Sequence, residues 1–213
     1  MATNNYKNVS ASAQIKSSYG VLVGMYVNST NAGTIKFFDG DTGTASAGVK
    51  ATGVFTSSDV FTDGETATIG DVTYTFVDAL STSVSYQVLI GVSAAVTLDN
   101  LKLAINKGAG EGTVYSLGTE AHPQVTATTN TDTAQTVQAI AVGVAGNAIA
   151  TTTTCADVAW GAVVLESGVD VNTLLNNTIT PAIGYHSLGE VAFNNGLYAT
   201  IGGTALDVTL YYQ

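Results

Sequence analysis

Few residues of this 213-residue chain have the types and spacing that a reactive or metal-binding site requires. The best metal candidate is Asp39-Gly40-Asp41-Thr42-Gly43, which begins like a calcium-binding loop with carboxylates at alternating positions. The twelfth position of an EF-hand loop is a bidentate glutamate, and this chain has Lys50 there. We therefore interpret the segment as an acidic turn stabilised by Asx-type hydrogen bonds, and we predict no metal and no cofactor.

Nucleophilic and acid–base constellations are equally sparse. The two histidines, His122 and His186, lie far apart in sequence, and Cys155 is the single cysteine, which we expect to be a small buried hydrophobe. The chain contains no G-x-S-x-G elbow, and the glycine-rich segment 108–112 lacks the lysine of a P-loop. Sixteen acids offer many pairs, but no feature singles out two of them for glycoside hydrolysis. We predict that the protein is not an enzyme.

The distribution of charge excludes some partners and suggests two domains. The chain has six lysines, no arginine and sixteen acids, for a net charge of −10, so we predict no nucleic-acid partner. Residues 51–170 contain twelve acids against Lys102 and Lys107, whereas the flanks 1–50 and 171–213 are together neutral. Such a difference between segments indicates an acidic domain inserted into a neutral one.

The composition favours strands joined by tight turns. Charged residues make up only 10% of the chain, and polarity comes from Thr, Ser, Asn and 23 glycines. The opening sequence MATNNYKNVSASAQ lacks the apolar centre of a signal peptide, and no stretch approaches 18 consecutive apolar residues. We therefore expect neither a secretion signal nor a membrane partner.

The two flanks have the patterns of short antiparallel strands. Residues 1–15 are small and polar and predict an extended N-terminal arm that is either disordered or ordered only by a neighbour. Residues 20–39 predict a hairpin with its turn at 28–33, and residues 178–212 predict further strands with turns at 194–196 and 202–203. We assign residues 16–50 and 171–213 to one discontinuous β-sandwich, the base domain.

Residues 51–170 predict a self-contained α+β domain. The clearest hairpin turns at Gly70-Asp71 and is followed by Val72, Tyr74 and Phe76, three large apolar residues that alternate with threonines. The only convincing helix is expected to begin with Thr97 as its N-cap and to end at Gly108. Leu98, Leu101 and Ile105 form its apolar stripe. The predicted fold class is thus mainly β: a discontinuous, jelly-roll-like small β-sandwich with an inserted α+β domain that contains one short helix.

The flanks resemble the small β-sandwich proteins of tailed-bacteriophage virions. The residues that carry the resemblance are YGVLVGMYVNSTNAGTIKFFDG and ITPAIGYHSLGEVAFNNGLYATIGGTALDVTLYY. The insert is similar to a module of phage head and tail proteins through DGETATIGDVTYTFVDAL, QVLIGVSAAVTLDNLKLAINKGAGEGTVYSLGTEAHPQVTA and AGNAIATTTT. The resemblance implies a non-enzymatic capsid decoration (cement) protein that binds the major capsid protein. It also implies homotrimers on the virion surface that are assembled in the cytoplasm of the host bacterium.

The base domain holds the predicted interface residues. Seven of the ten tyrosines lie in the nearly neutral flanks, and tyrosine is favoured at interfaces because it buries area and keeps a polar tip. The candidate interface consists of the flank tyrosines and two N-terminal lysines: Tyr6, Lys7, Lys16, Tyr19, Tyr26, Tyr185, Tyr198, Tyr211 and Tyr212. Core packing and exposed strand faces explain the same tyrosines equally well.

Three functions remain open at this stage. The first is a decoration protein that docks by its base and N-terminal arm, with the acidic insert in solvent. The second is a tail or head–tail component. The third is a virion-displayed module that binds host glycans, for which the insert offers few aromatic residues outside core-like positions. Sequence alone specifies neither the oligomeric number, nor the docking face, nor the host.

Overall fold

The protein is mainly β, with several antiparallel sheets, a discontinuous strand order and a single α-helix among the residues described, which confirms the predicted fold class. A computed structural model describes residues 5–57 and 59–213, and for residues 30–32 and 204–205 it describes the backbone only. The first four residues of the predicted arm lie outside the described residues.

The elements follow one another in this order. The first four strands are β1 (Asn5–Val9), β2 (Ala13–Lys16), β3 (Gly20–Asp39) and β4 (Ser46–Val49). The middle of the chain contains β5 (Thr52–Ser57), β6 (Thr66–Ile69), β7 (Val72–Val77), β8 (Gln87–Leu89), α1 (Ala94–Asn106), β9 (Val125–Thr131), β10 (Ala134–Ala139), a 3₁₀ turn (Val144–Ala148), β11 (Thr151–Thr153) and β12 (Val158–Trp160). The last strands are β13 (Val169–Leu174), β14 (Gly184–Phe193) and β15 (Leu197–Tyr212).

The chain divides into two compact units. Residues 1–48 and 170–213 form the base unit, and residues 49–169 form the insert unit. The chain leaves the base at β4 and returns at β13, and these two strands are neighbours at one edge of the base sheet. Each unit has its own apolar core.

The base is organised around two long antiparallel strands, β3 and β15, which pair from Leu197 opposite Asp39 to Tyr212 opposite Leu22. At one end they lie between β14 and β1, and this set is called the first half-sheet. At the other end they lie between β13 and β2, with β4 beyond β13, and this set is the second half-sheet.

The two half-sheets enclose one core. Met25, Val27 and Leu210 from the first half-sheet belong to the same fully buried cluster as Phe37 and Ala199 from the second. Lysines join the half-sheets at their edges, since Lys7 Nζ donates to Gln14 O and Lys16 Nζ donates to Gln213 O at 2.9 Å. The base is therefore a sandwich in which two strands pass from one layer to the other.

Two predicted turns in the base are wrong. Residues 28–33 and residues 202–203 carry turn-forming types, yet each lies within a continuous strand, β3 or β15. Both segments lie in the stretch where residues 29–34 of β3 pair with residues 202–207 of β15, with Gly202 opposite Thr34 and Asp207 opposite Ser29, and the register shifts between these pairs. Each segment supplies the other's backbone hydrogen bonds, so strand pairing outweighs local turn preference. The predicted turn at 194–196 is confirmed, because it joins β14 to β15.

The predicted free arm is also wrong for the residues described. Residues 5–9 pair with 208–212 of β15, and residues 13–16 pair with 197–199 of the same strand. Val9 and Ile15 are buried in the base core. The sequence pattern does not reveal these two short edge strands, because most of their residues are small or polar. Each strand contributes one large apolar side chain to the base core.

The insert packs two four-stranded sheets and α1 around an aromatic core. The sheet orders are β12-β5-β10-β9 and β11-β6-β7-β8, and the predicted hairpin at Gly70-Asp71 joins β6 to β7. Tyr74 and Phe76 are fully buried, and Val72 packs against the same cluster, which confirms the predicted apolar face. Phe76 contacts Phe61, with ring centroids 4.3 Å apart.

The helix begins earlier than predicted. Ser93 is the N-cap and its Oγ accepts from Val96 N at 3.4 Å, whereas Thr97 lies inside the helix and donates through Oγ1 to Ser93 O. Thr97 is fully buried, and its Oγ1 also accepts from Gly91 N, so its hydroxyl is satisfied inside the insert. The stripe of Leu98, Leu101 and Ile105 is buried as predicted, and the helix ends where Lys107 adopts a left-handed conformation.

Candidate binding face of the base unit

Four of the predicted interface tyrosines lie on one face of the base. Tyr6 on β1 is opposite Tyr211 on β15, which is opposite Gly24 on β3, and Tyr26 on β3 is opposite Tyr185 on β14. Cross-strand partners share a face, and the alternate residues of the same strands point into the core. We call the outer surface formed by Tyr6, Tyr26, Tyr185 and Tyr211 the tyrosine face.

The rings of the tyrosine face are accessible. Tyr6 is 72% exposed, Tyr185 57% and Tyr26 43%. Tyr185 and Tyr211 have ring centroids 6.3 Å apart at an interplanar angle of 57°, so the two rings are neighbours. Exposed neighbouring aromatic rings on the outer surface of a sheet offer apolar area for a ligand.

Gly24 allows Tyr185 to lie across the sheet. A Cβ atom at position 24 would lie 2.7 Å from Tyr185 Oη and 2.9 Å from the carbonyl oxygen of His186. Any side chain there would displace the phenol from its place over β3. Gly24 therefore lies directly beneath Tyr185 and leaves room for its phenol ring, a role that the sequence pattern does not reveal.

A row of polar side chains adjoins the rings. The amide nitrogens of Asn8 and Asn28 donate to Thr209 Oγ1 at 3.3 Å and 3.2 Å, and Asn28 Nδ2 lies 3.5 Å from Asp207 Oδ1. These side chains hold one another in place next to the aromatic surface. The result is a face that presents aromatic rings, amides, a hydroxyl and one carboxylate.

The two predicted interface lysines lie elsewhere. Lys7 and Lys16 bind the backbone carbonyl oxygens that join the two half-sheets. Lys16 Nζ also lies 5.8 Å from the ring centroid of Tyr19, in the turn between β2 and β3. Tyr19 is 77% exposed and is not part of the tyrosine face.

The remaining predicted tyrosines are partly covered. Tyr198 pairs with Phe38 on the outside of the second half-sheet, where a Cβ on Gly43 would come within 3.2 Å of its ring. Tyr212 packs against the base core. The structure thus brings together four of the nine candidate residues and disperses the other five.

The acidic loop after β3 has a structural role. The Asp39 carboxylate is buried and accepts from Asn194 N at 3.0 Å and Asn195 N at 2.6 Å, which fixes the turn between β14 and β15. Asn172 donates to Thr42 O at 2.7 Å and so anchors the same loop. In the described part of the chain, no group of three or more His, Cys, Asp or Glu side chains could hold a metal ion.

His122 is buried in the insert as a neutral ring. Its Nδ1 accepts from Gln124 N at 3.1 Å and Val125 N at 3.2 Å, so the proton is on Nε2, which donates to Ile69 O. Burial lowers the pKa of His122 below its ordinary value, although the bond to Ile69 O acts in the opposite direction. Through these hydrogen bonds His122 holds the loop between α1 and β9 in place.

Cys155 and Tyr74 are poor candidates for chemistry. Burial raises the pKa of the Cys155 thiol to about 11, and its Sγ lies 3.6 Å from Thr66 O. Burial likewise raises the pKa of Tyr74, whose hydroxyl has no hydrogen-bond partner among the residues that the structure describes. Neither group is poised to ionise at neutral pH.

Comparison of the chain with protein-family models, with curated proteins and with solved structures finds no match. Of the described helical segments, none combines the length and the apolar character needed to cross a membrane.

Proposed function

We propose that this chain is a structural, non-enzymatic protein of a tailed-bacteriophage virion that decorates and stabilises the capsid. The base docks on the major capsid protein, and the insert is exposed to solvent. The resemblance of both units to phage virion modules supports this role. So does the charge, because the base unit has three lysines and five acids whereas the insert unit has three lysines and eleven acids. A nearly neutral base packs against a protein shell with little repulsion, and an acidic insert favours solubility.

The observation that carries this proposal is an open edge on the base. β1 and β2 both lie along the same side of β15, and in the described residues neither strand pairs with another strand on its outer side. An unpaired edge is a template for a strand from another chain. The N-terminal segment therefore docks as an ordered edge that adds a strand of the shell protein.

The proposed oligomeric state follows from the symmetry of the capsid surface on which the protein would sit. Copies placed around a symmetry axis of a capsid obey closed rotational symmetry, and we propose a homotrimer. The same edge and symmetry would serve a ring on a tail, so the location on the particle requires a direct test.

Deletion of residues 1–9 tests the docking edge because it removes β1. Added to particles that lack the protein, this variant is expected to lose occupancy, whereas a matched variant that lacks only residues 1–4 retains β1 and binds. Amide hydrogen exchange of β3 in both variants checks that the base is folded. Full occupancy by the longer deletion would contradict docking through this edge.

Microscopy of intact virions at residue resolution tests the role itself. The proposal expects the base against the head shell in trimers. Density on the tail would support the tail alternative, and absence from the particle would reject both.

A further inference from the structure

We infer that the tyrosine face binds a neutral polysaccharide built of pyranose sugars. This inference goes beyond the decoration role, because the tyrosine face is the outer surface of the first half-sheet and the proposed docking site is the edge of β1 and β2. The two surfaces share β1, which contributes Tyr6 and Asn8 to the face, so the test below uses Tyr185 on β14. The ligand would bind the base, and not the insert, whose sequence offers few aromatic residues outside core-like positions.

The aromatic surface suits the apolar faces of sugar rings. Pyranoses present C–H groups above and below the ring and hydroxyls around the rim, and the C–H groups pack on exposed phenol rings. From Tyr6 on β1 to Tyr185 on β14, the face crosses three interstrand steps, or about 14 Å at roughly 4.8 Å for each step. That length accommodates more than one sugar ring.

The polar row suits the hydroxyls. Asn8 and Asn28 are exposed amides, each with a donor and an acceptor, and both are held by Thr209 Oγ1. Asp207 supplies a carboxylate, which accepts from sugar hydroxyls with charge-assisted hydrogen bonds. Because these groups are already oriented, a polyol loses little of their conformational freedom when it binds.

The charge of the face selects a neutral ligand. The described lysines of the base are engaged or placed elsewhere: Lys7 and Lys16 bind carbonyl oxygens between the half-sheets, and Lys36 lies on the second half-sheet. Among the described residues, the tyrosine face therefore offers Asp207 and no lysine to offset the negative charge of an acidic polysaccharide or a nucleic acid.

The same composition disfavours a protein partner on this face. The positions between the tyrosines are Gly24, Asn8, Ser187 and Thr209. Burying such hydroxyls and amides against an apolar protein surface leaves hydrogen bonds unmade, which opposes binding. A polyol satisfies them.

Affinity electrophoresis of the full-length protein in gels with a soluble neutral glucan, galactan or mannan tests the inference. Retardation by at least one neutral polysaccharide and none by polygalacturonate is expected. Tyr185→Ala should weaken the apparent affinity at least about fivefold, since a lost stacking contact is worth about 1 kcal/mol. Tyr185→Phe keeps the ring and should retain binding, and Tyr19→Ala, which removes a more exposed tyrosine outside the face, should change nothing.

Several outcomes would overturn the inference. These are no retardation by any neutral polysaccharide, retardation that Tyr185→Ala leaves unchanged, or equal loss with Tyr19→Ala. Loss of particle occupancy by Tyr185→Ala would assign the face to the shell protein instead. Glycan binding without the protein on virions would support the inference and reject decoration, so the two proposals fail separately.

Discussion

The base and the insert differ in how much local structure accompanies their long-range strand pairing. In the base, the principal pairing joins residues that are about as far apart as the chain allows, such as Leu22 and Tyr212. In the insert, β6 pairs with β7 through a two-residue turn, and α1 packs on strands of the same segment. The insert also contains long-range pairs, such as Val158 opposite Ser57 and Thr151 opposite Ile69. The contrast is therefore that the insert adds a local hairpin and a helix to its long-range pairing, whereas the base depends on the pairing of the two ends of the chain.

The largest expected effect comes from separating the units. A fragment of residues 49–169 retains its core and should fold alone, whereas a fragment of residues 1–48 has lost β15 and should be unfolded. Circular dichroism and amide exchange of both fragments measure this. A folded 1–48 fragment would contradict the dependence of β3 on β15.

Phe76→Ala should destabilise the insert alone. Phe76 is fully buried against Phe61 and Phe55, so the cavity should cost about 3–5 kcal/mol of the free energy of unfolding. Phe37→Ala is the matched change in the base core. Urea denaturation followed by residue-specific amide exchange should show each variant lowering the protection of its own unit, and a loss shared by both units would show that they unfold together.

Asp39→Ala should destabilise the base by about 2–3 kcal/mol, because it leaves the backbone N–H groups of Asn194 and Asn195 without their charged acceptor. Asp41→Ala removes an exposed acid from the same loop and should have little effect. Thermal unfolding monitored in the base compares the two. Equal melting temperatures would show that the buried carboxylate does not hold the turn.

The insert should lose stability in mild acid. The pKa of His122 is lowered in the folded state, so below about 6.5, the ordinary value, the unfolded state binds more protons. The free energy of unfolding should therefore decrease as pH falls through and below that value, with a slope of up to about 1.4 kcal/mol per pH unit. Urea denaturation at pH 7.5 and 5.5 measures it.

His122→Asn is the control for this pH dependence, since it keeps an acceptor near Gln124 N and removes the titration. The variant should lose the slope between pH 7.5 and 5.5. A slope that persists would assign the acid sensitivity to other groups.

The smallest expected effect is at the helix start. Ser93→Ala removes the acceptor for Val96 N and should cost about 1 kcal/mol of insert stability, whereas Ser18→Ala, at an exposed bend in the base, should cost almost nothing. Chemical denaturation of the insert distinguishes them. An unchanged midpoint for Ser93→Ala would return the cap to Thr97, where the sequence pattern had placed it.

Most of the insert follows from patterns a few residues long. The Gly70-Asp71 turn, the alternation through Tyr74 and Phe76 and the stripe of α1 are local signals, and each was predicted. The helix cap was missed by four residues because Ser93 and Thr97 are both good caps. Only the packing that buries Thr97 decides between them.

The candidate site was predicted in part. The tyrosines of the base were selected by residue type, but their arrangement depends on the register of four strands, and Tyr19, Tyr198 and Tyr212 lie elsewhere. Gly24 was missed because nothing in its neighbourhood in sequence shows that Tyr185 lies over it.

Residue types and short-range periodicity were enough to establish the mainly β class, the acidic middle segment and the insert's hairpin and helix, because the interactions behind them span only a few residues. The partners of β3 and β15 were decided by the tertiary structure. Segments 28–33 and 202–203 have the composition of turns, and they are extended because each pairs with the facing strand, as Asn31 does with Thr204 and Gly202 does with Thr34. A strand's hydrogen bonds are completed by residues distant in sequence, so its length, its register and the face it builds are properties of the pair.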